Sequence, residues 1–590
     1  MPTVGVKRDL LFEALGRTYS DEEFDELCFE YGLELDEVTS EKTMMEKEQG
    51  SDKAEGLSDI VIYKIDVPAN RYDLLCLEGL ARGLLVFLQK LEAPRYKAIP
   101  PKSGGRLQQM FIKPDTARVR PFAVAAILRN ITFTKESYDS FIDLQDKLHQ
   151  NLGRKRSLVS MGTHDLDTIQ GPFTFDALPP DQIKFVPLNQ TKAYTAVEQM
   201  ELFSGDSHLR HYLPIIRDKP VYPVILDSNG VVLSMPPIIN GNHSKISLNT
   251  KNVFIEITGT DLTKIKISLD ILVTMFSQYC KEPFVMEQVE VIKPDRSKDI
   301  YPALKYRKED VPVDLINRRV GVNLSADKIA QLLTKMCLTS KVTDGGKKLS
   351  VEIPPTRADV IHSCDIIEDV AIAHGYNNIT KTIPNTNTIA NQFGINKLTD
   401  LLRLDICAAG FTEVLTFALC SREDVSDKLQ LDLAKTKAVH ISNPKTAEFQ
   451  VARTALLPGV LKTIACNRKM PLPIKAFEIS DVVLQNPDKD VGAQNYRHFC
   501  AVHYNKSPGF EVIHGLLDRT MQLLQVPFSK EDGYHLKAAD SPTFFSGRCA
   551  EVIVRGKSIG HLGVLHPNVV TKFELTNPCA ALEISIEPFL

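Results

Sequence analysis

The segment IPPTRADVIHSCDIIEDVAIAHGY, Ile353 to Tyr376, concentrates the acids of this chain that are best placed for chemistry. Asp365, Glu368 and Asp369 stand at i, i+3 and i+4 of a helical pattern, which sets three carboxylates on one face. Asp359 lies just upstream and can fold back toward them. Such a group repels itself unless a cation or a basic partner joins it. Two readings are open. Acids in the first turns of a solvated helix are favoured by the macrodipole, by roughly 0.3–1 kcal/mol each. The other reading is a hard-cation site, because Mg²⁺ takes oxygen ligands and commonly uses one or two carboxylates plus water. No P-loop, dinucleotide fingerprint or nucleophile elbow accompanies them.

The elements that position these acids occur twice. Pro354-Pro355 forces an extended approach, and Gly375 is a natural helix stop. Near the N-terminus DVPANRYDLLCLEGLARGL, Asp66 to Leu84, has the same Arg-x-Asp spacing when Arg71 is aligned with Arg357. Upstream, Leu10–Val38 and the stretch from Leu315 each read as a short helix, a Gly turn, a Ser N-cap and a second amphipathic helix. The pattern predicts two copies of one small module. On this alignment Gly79, Arg82 and Gly83 replace Asp365, Glu368 and Asp369, so the second copy alone carries the acids.

A chain of 590 residues is expected to hold about three to five domains. A net charge of −4 excludes a global polyanion-binding surface. Eleven cysteines, none in a CxxC pair, argue against a disulfide framework or zinc site and for a reducing compartment. No signal-like start and no long apolar run are present, so a soluble intracellular protein without a membrane span is expected. The polar stretch Glu41–Ser58 reads as a loop, PPKSGGR from Pro100 as a breaker, and Thr380–Gln392 as a linker. The expected domains are 1–95, the first copy; 110–290, mixed strands and helices; 303–379, the second copy; and 393–590, an alternation in which AVHISNP, IKAFEISDVVL and CAEVIVRGKSIGHLGVL read as strands. The helix SFIDLQDKLHQNLGRKR is expected to run through its basic end. There Arg154-Lys155-Arg156, after Lys147 and His149, is either a phosphate contact or a solvated turn.

Four C-terminal segments carry a resemblance. They are GFTEVLTFAL (Gly410–Leu419), ISNPKTAEFQVARTALLPGVLKTIACNRK (Ile441–Lys469), AFEISDVV (Ala476–Val483) and GVLHPNVVTKFEL (Gly563–Leu575). Together they resemble the β subunits of phenylalanyl-tRNA synthetases of the cytosolic eukaryotic and archaeal type, and the likeness extends in order over essentially the whole chain. It implies a multidomain α+β fold with a duplicated helical, winged-helix-like module, an α+β editing domain and a catalytically inactive class II synthetase-like antiparallel sheet. It implies a cytoplasmic (αβ)₂ heterotetramer with the α subunit, attaching phenylalanine to tRNA(Phe) with ATP and Mg²⁺, the metal linked to Asp359, Asp365, Glu368 and Asp369. The phosphate-gripping arginine of a working class II site is missing around Phe477-Glu478, so Asn443, Arg453 and Phe477 read as fold and interface residues.

The resemblance also implies that residues 111–284 hydrolyse tyrosine mis-attached to tRNA(Phe). An apolar pocket rejects an added hydroxyl only about 10²-fold, so a second site that hydrogen-bonds the hydroxyl is the physical remedy. Candidate groups are Asn240, Asn242, Ser244, Thr250, Glu256 and Thr258, with Gly241 as a pocket glycine and His164 and Asp165 as contributors. The rival expectation is a non-enzymatic tRNA-binding or assembly subunit without editing.

Overall fold

Two short helices, Arg8–Leu15 and Val313–Val320, each end on a glycine at positive φ, Gly16 at 67° and Gly321 at 81°. A left-handed residue there reverses the chain at little steric cost. Ser20 and Ser325 then accept from the backbone N–H groups of Glu23 and Lys328, starting the helices Asp21–Tyr31 and Ala326–Lys335. Three antiparallel strands complete each motif, in the spatial order Thr3–Lys7, Ile62–Asp66, Glu34–Thr39 and again Arg307–Pro312, Lys348–Ile353, Thr339–Thr343. The motifs meet reciprocally. The helix Asp21–Tyr31 packs on Ser363–His374, and Leu77–Phe87 packs on Ala326–Lys335, as expected of two copies about a pseudo-two-fold axis.

This computed structural model describes residues 2–44, 58–101, 105–383, 386 and 389–590. Glu41–Met44 form a helical turn; most of the polar stretch to Ser58, Lys102–Gly104 of the breaker and four linker positions lie outside the described residues. The chain divides into two compact units, Met1–Ile383 and Pro384–Leu590. Among the described residues no helix is long and apolar enough to cross a membrane.

In the first unit, both motifs and the intervening region share one continuous apolar core. An eleven-stranded sheet lies between the motifs in sequence. Its strand Val253–Gly259 is flanked antiparallel by Phe122–Leu128 and Val159–Asp165 and is buried along its full length. The helix Leu262–Phe276, N-capped by Asp261, packs on these strands. The helix Lys135–Gln150 stops before the basic run, because Arg154, Lys155 and Arg156 take positive φ of 45°, 53° and 64°.

The second unit is a seven-stranded, mostly antiparallel sheet with apolar clusters on both faces. Helices Gly394–Ala408 and Phe510–Leu523 cover one face and Leu457–Cys466 the other. The segment AVHISNP does not form the expected strand; its only ladder contact is the bridge of His440 to Val451, since the Asn443-Pro444 turn cuts it short. Arg453 is spent internally, donating to Glu478 at 2.8 Å, to the Asp481 carbonyl at 2.8 Å and to the Thr416 hydroxyl at 3.0 Å.

Candidate functional site

The clustered acids are held by an arginine. Arg357 is 1% exposed. Its Nε and Nη2 grip Asp359 at 3.0 and 2.7 Å, Nη2 also reaches Asp369 at 2.8 Å, and Nη1 donates to the Met336 carbonyl at 2.6 Å. The first copy repeats the grip, Arg71 holding Asp73 at 2.9 and 2.8 Å and donating to the Tyr31 hydroxyl at 3.1 Å. Tyr31 therefore takes the part that Asp369 plays in the second copy. A side chain at Gly83, the counterpart of Asp369, would come within 2.7 Å of that hydroxyl, and one at Gly79 within 1.8 Å of the Asp73 carbonyl. The glycines are a packing requirement.

Two arginines and three aspartates make up this layer, leaving one acid in surplus. Burial works to raise Asp359, but Arg357 overrides it and holds the carboxyl below its usual range. Burial pushes Asp369 up to about 6, against the pull of Arg357 and Arg71. Asp365 is spent on capping, accepting from the backbone N–H groups of Ile361 and His362 at 2.8 and 2.9 Å. Glu368 is exposed. Of the acids expected to hold Mg²⁺, Asp359 and Asp369 therefore meet at Arg357, Asp365 stands at the helix end and Glu368 faces outward on the same helix. Among the described residues no three His, Cys, Asp or Glu side chains are grouped as metal ligands.

A second constellation has the opposite character, because its polar atoms are left open. On the strand Val253–Gly259, Glu256 and Thr258 share one face, and the neighbouring strand sets Gly162 opposite Glu256 and Ser160 opposite Thr258. Glu256, 1% exposed, accepts at Oε1 from the Ser234 hydroxyl at 2.6 Å. His164 Nε2 lies 3.6 Å from the same oxygen, and His164 Nδ1 pairs with the Ser244 hydroxyl at 2.7 Å. Glu256 Oε2, His164 Nε2 and Thr258 Oγ1 are buried without a hydrogen-bond partner. A buried unsatisfied polar atom costs about 1–3 kcal/mol, more when charged, so three on one sheet face mark a place that a bound water or a ligand group completes.

Glu256 borders a cavity of about 560 Å³, together with Gln145, His149, Arg156, Met161 and Asn240. That size suits a small organic group. His149 is held neutral, its pKa driven well down by burial first and then by Arg156 and Arg120. Its Nε2 accepts from the Met161 N–H at 2.8 Å. Arg156 is not a solvated basic residue, since it donates to the Ile238 carbonyl at 3.1 Å and covers the Tyr212 ring at 4.3 Å. Arg120 donates to the Thr258 carbonyl at 3.1 Å. Burial lowers Arg120 to about 10 while the charge of Glu256 opposes the shift.

The remaining candidates sort differently from the expectation. Asn240 and Glu256 line the cavity; His164 lies beside Glu256 and pairs with Ser244, and Thr258 shares the strand face of Glu256. Asn242 is exposed and accepts from the Asn189 N–H at 3.2 Å. Thr250 is a loop staple, donating to Asp165 at 2.7 Å. Gly241 lets its hairpin close, since a Cβ there would stand 2.5 Å from the Val232 carbonyl. Ser234, Gly162 and Arg120 were not foreseen, because strand pairing and not spacing brings them to Glu256. A Cβ at Gly162 would lie 2.1 Å from Glu256 Oε1. Gly162→Ala is expected to displace the carboxylate from Ser234 and to cost about 1–3 kcal/mol of stability, checked by chemical denaturation; an unchanged midpoint would mean that the carboxylate moves aside freely.

Comparison with known proteins agrees along the whole chain. Family models match in order: "Phe-tRNA synthetase beta subunit B1 domain" at 1–90, "B3/4 domain" at 107–281, "tRNA synthetase B5 domain" at 310–376 and "Phenylalanyl tRNA synthetase beta chain CLM domain" at 379–586. The chain is 68% identical to the phenylalanine–tRNA ligase beta subunit of Mus musculus and 66% identical to that of Homo sapiens, with 100% of each chain covered. A crystal structure of an N-terminal fragment of the phenylalanyl-tRNA synthetase β-subunit from Pyrococcus horikoshii is similar with a TM-score of 0.55 and 30% identity, over 63% of this chain and 99% of that one. The cavity with the open Glu256 carboxylate falls inside the B3/4 match and the charge layer joins the B1 and B5 matches; the chain belongs to the phenylalanine–tRNA ligase β-subunit family.

Proposed function

We propose that this chain is the non-synthetic partner in a phenylalanine–tRNA ligase, working in the cytoplasm with an α subunit as an (αβ)₂ heterotetramer, and that it hydrolyses tyrosine mis-attached to tRNA(Phe). The observation that carries the editing reading is the buried Glu256 carboxylate in the cavity lining, one oxygen held by Ser234 and the other without a hydrogen-bond partner. A phenolic hydroxyl donated to that free oxygen satisfies it, and phenylalanine has none to offer. Sites built to hydrogen-bond a substrate hydroxyl discriminate against its absence far better than apolar pockets reject its presence. Ester hydrolysis then needs a positioned water and a place for the developing oxyanion. Asn240 on the cavity wall is the side chain of this chain best placed to orient that water.

ATP is a substrate of the complex, and Asp359, Asp365, Glu368 and Asp369 are the carboxylates of this chain that would hold Mg²⁺. The second unit supports a partner. Leu415 and Phe417 are 80% and 79% exposed, and Leu404 on the helix Gly394–Ala408 is 73% exposed. Large apolar side chains left in water mark interaction surfaces. The test is ATP-dependent attachment of phenylalanine to tRNA(Phe). This chain alone is expected to be inactive and to self-associate by light scattering. Co-expression with the α subunit is expected to restore activity and a defined mass, and Leu415→Ser with Phe417→Ser to weaken assembly at least tenfold. Activity of this chain alone would overturn the division of labour.

A further inference from the structure

A second cavity, of about 500 Å³, lies apart from Glu256 between the helix Leu262–Phe276, the strand Lys298–Tyr301 with the extended segment after it, and the turn from Pro354 to Ile361. One wall is acidic. Asp270 faces the cavity from the helix, and among the described residues its carboxyl makes no hydrogen bond or ion pair. Lys266, one turn earlier, is turned over the Tyr301 ring at 5.5 Å. Asp299, also in the wall, is already satisfied, accepting from Tyr301 at 3.0 Å and pairing with Lys293 at 2.8 Å. The facing segment is basic, with Lys305 and Arg307 both exposed, Arg307 Nη2 also donating to the Arg357 carbonyl at 3.1 Å. Between them the lining is apolar, formed by Ile267, Ile300 and Pro355 among others.

An unpartnered acid on one element, two cations on another and an apolar floor are complementary to a zwitterion with an apolar body. We propose that this cavity binds a free α-amino acid with an apolar side chain, its ammonium on Asp270, its carboxylate on Lys305 and Arg307, and its side chain against Ile267, Ile300 and Pro355. The inference is independent of the editing reading. A ligand here touches both the sheet region that holds Glu256 and the motif that holds Arg357, so its binding links the two. Burial pushes Asp270 up to about 7, with Lys266 pulling the other way. The charged groups facing it are Lys266 on its own helix, the Asp299–Lys293 pair on the strand, and Lys305 and Arg307 beyond.

The test is isothermal titration calorimetry of the full chain with L-leucine, 3-methylbutylamine and 4-methylpentanoate. Leucine is expected to bind at one site, and each half-molecule at least tenfold more weakly. Asp270→Asn and the exposed pair Lys305→Ala with Arg307→Ala are each expected to weaken leucine at least tenfold, while Glu256→Ala leaves it unchanged. Because an ionised Asp270 is required, affinity is expected to fall about tenfold from pH 8 to pH 6. No leucine binding, equal binding of either half-molecule, or binding indifferent to the surface pair would overturn the proposal. Loss of binding in Glu256→Ala would place leucine in the other cavity and overturn it as well.

Discussion

Arg357→Ala is expected to destabilise the first unit by about 3–5 kcal/mol, the cost of breaking a buried ion pair by removing one partner. The substitution strands Asp359 and Asp369 and leaves the Met336 carbonyl without its donor. Hydrogen exchange is expected to show the loss first in the helix Ser363–His374, and protection unchanged there would contradict the account. The surplus acid gives the layer a pH signature. A carboxyl raised to about 6 in the folded state is penalised only when ionised. From an unfolded value near 3.9 the penalty is absent below about pH 4 and complete above about pH 6, worth roughly 3 kcal/mol. Asp369→Asn should therefore gain stability relative to wild type as pH rises from 5 to 8. Asp359, held low by Arg357, should show the reverse, its substitution costing most above pH 4.

Glu256→Ala is expected to slow hydrolysis of Tyr-tRNA(Phe) by about 10–100-fold in kcat/KM, since a hydrogen bond to a charged group is worth about 1.5–3 kcal/mol. Attachment of phenylalanine by the same complex should not change. Glu256→Gln keeps the shape and the Ser234 contact but offers a weaker acceptor, and should fall between wild type and alanine. Equal losses in hydrolysis and attachment would mean that the residue supports the fold and not the site.

The Arg-x-Asp turn and its repetition could be read from the sequence because Gly16, Ser20, Gly321 and Ser325 punctuate both copies at matching places. The partners of the acids could not. Spacing placed Asp365, Glu368 and Asp369 on one helical face, but the side chain that claims Asp369 is Arg357, from the preceding turn. Nor does spacing show that Tyr31, forty residues before Arg71, performs the same service in the other copy. Glu256 is reached through the family resemblance, with His164 as a contributor; both are buried, and Glu256 lines the cavity. Asn242 and Thr250 are polar as well yet serve the loop, because a hairpin needs its own hydrogen bonds. Ser234 went unnoticed because serine in a strand carries no signal until pairing brings it beside a carboxylate.

The central claim is that the open oxygen of Glu256 reads a hydroxyl. Its most direct measurement is the rate at which the wild-type complex hydrolyses preformed Tyr-tRNA(Phe) and Phe-tRNA(Phe), each against the rate without enzyme. The account predicts that the tyrosyl ester is cleaved at least about tenfold faster than the phenylalanyl ester, the discrimination of one charged hydrogen bond. Equal rates for the two esters, or no hydrolysis above background, would contradict it.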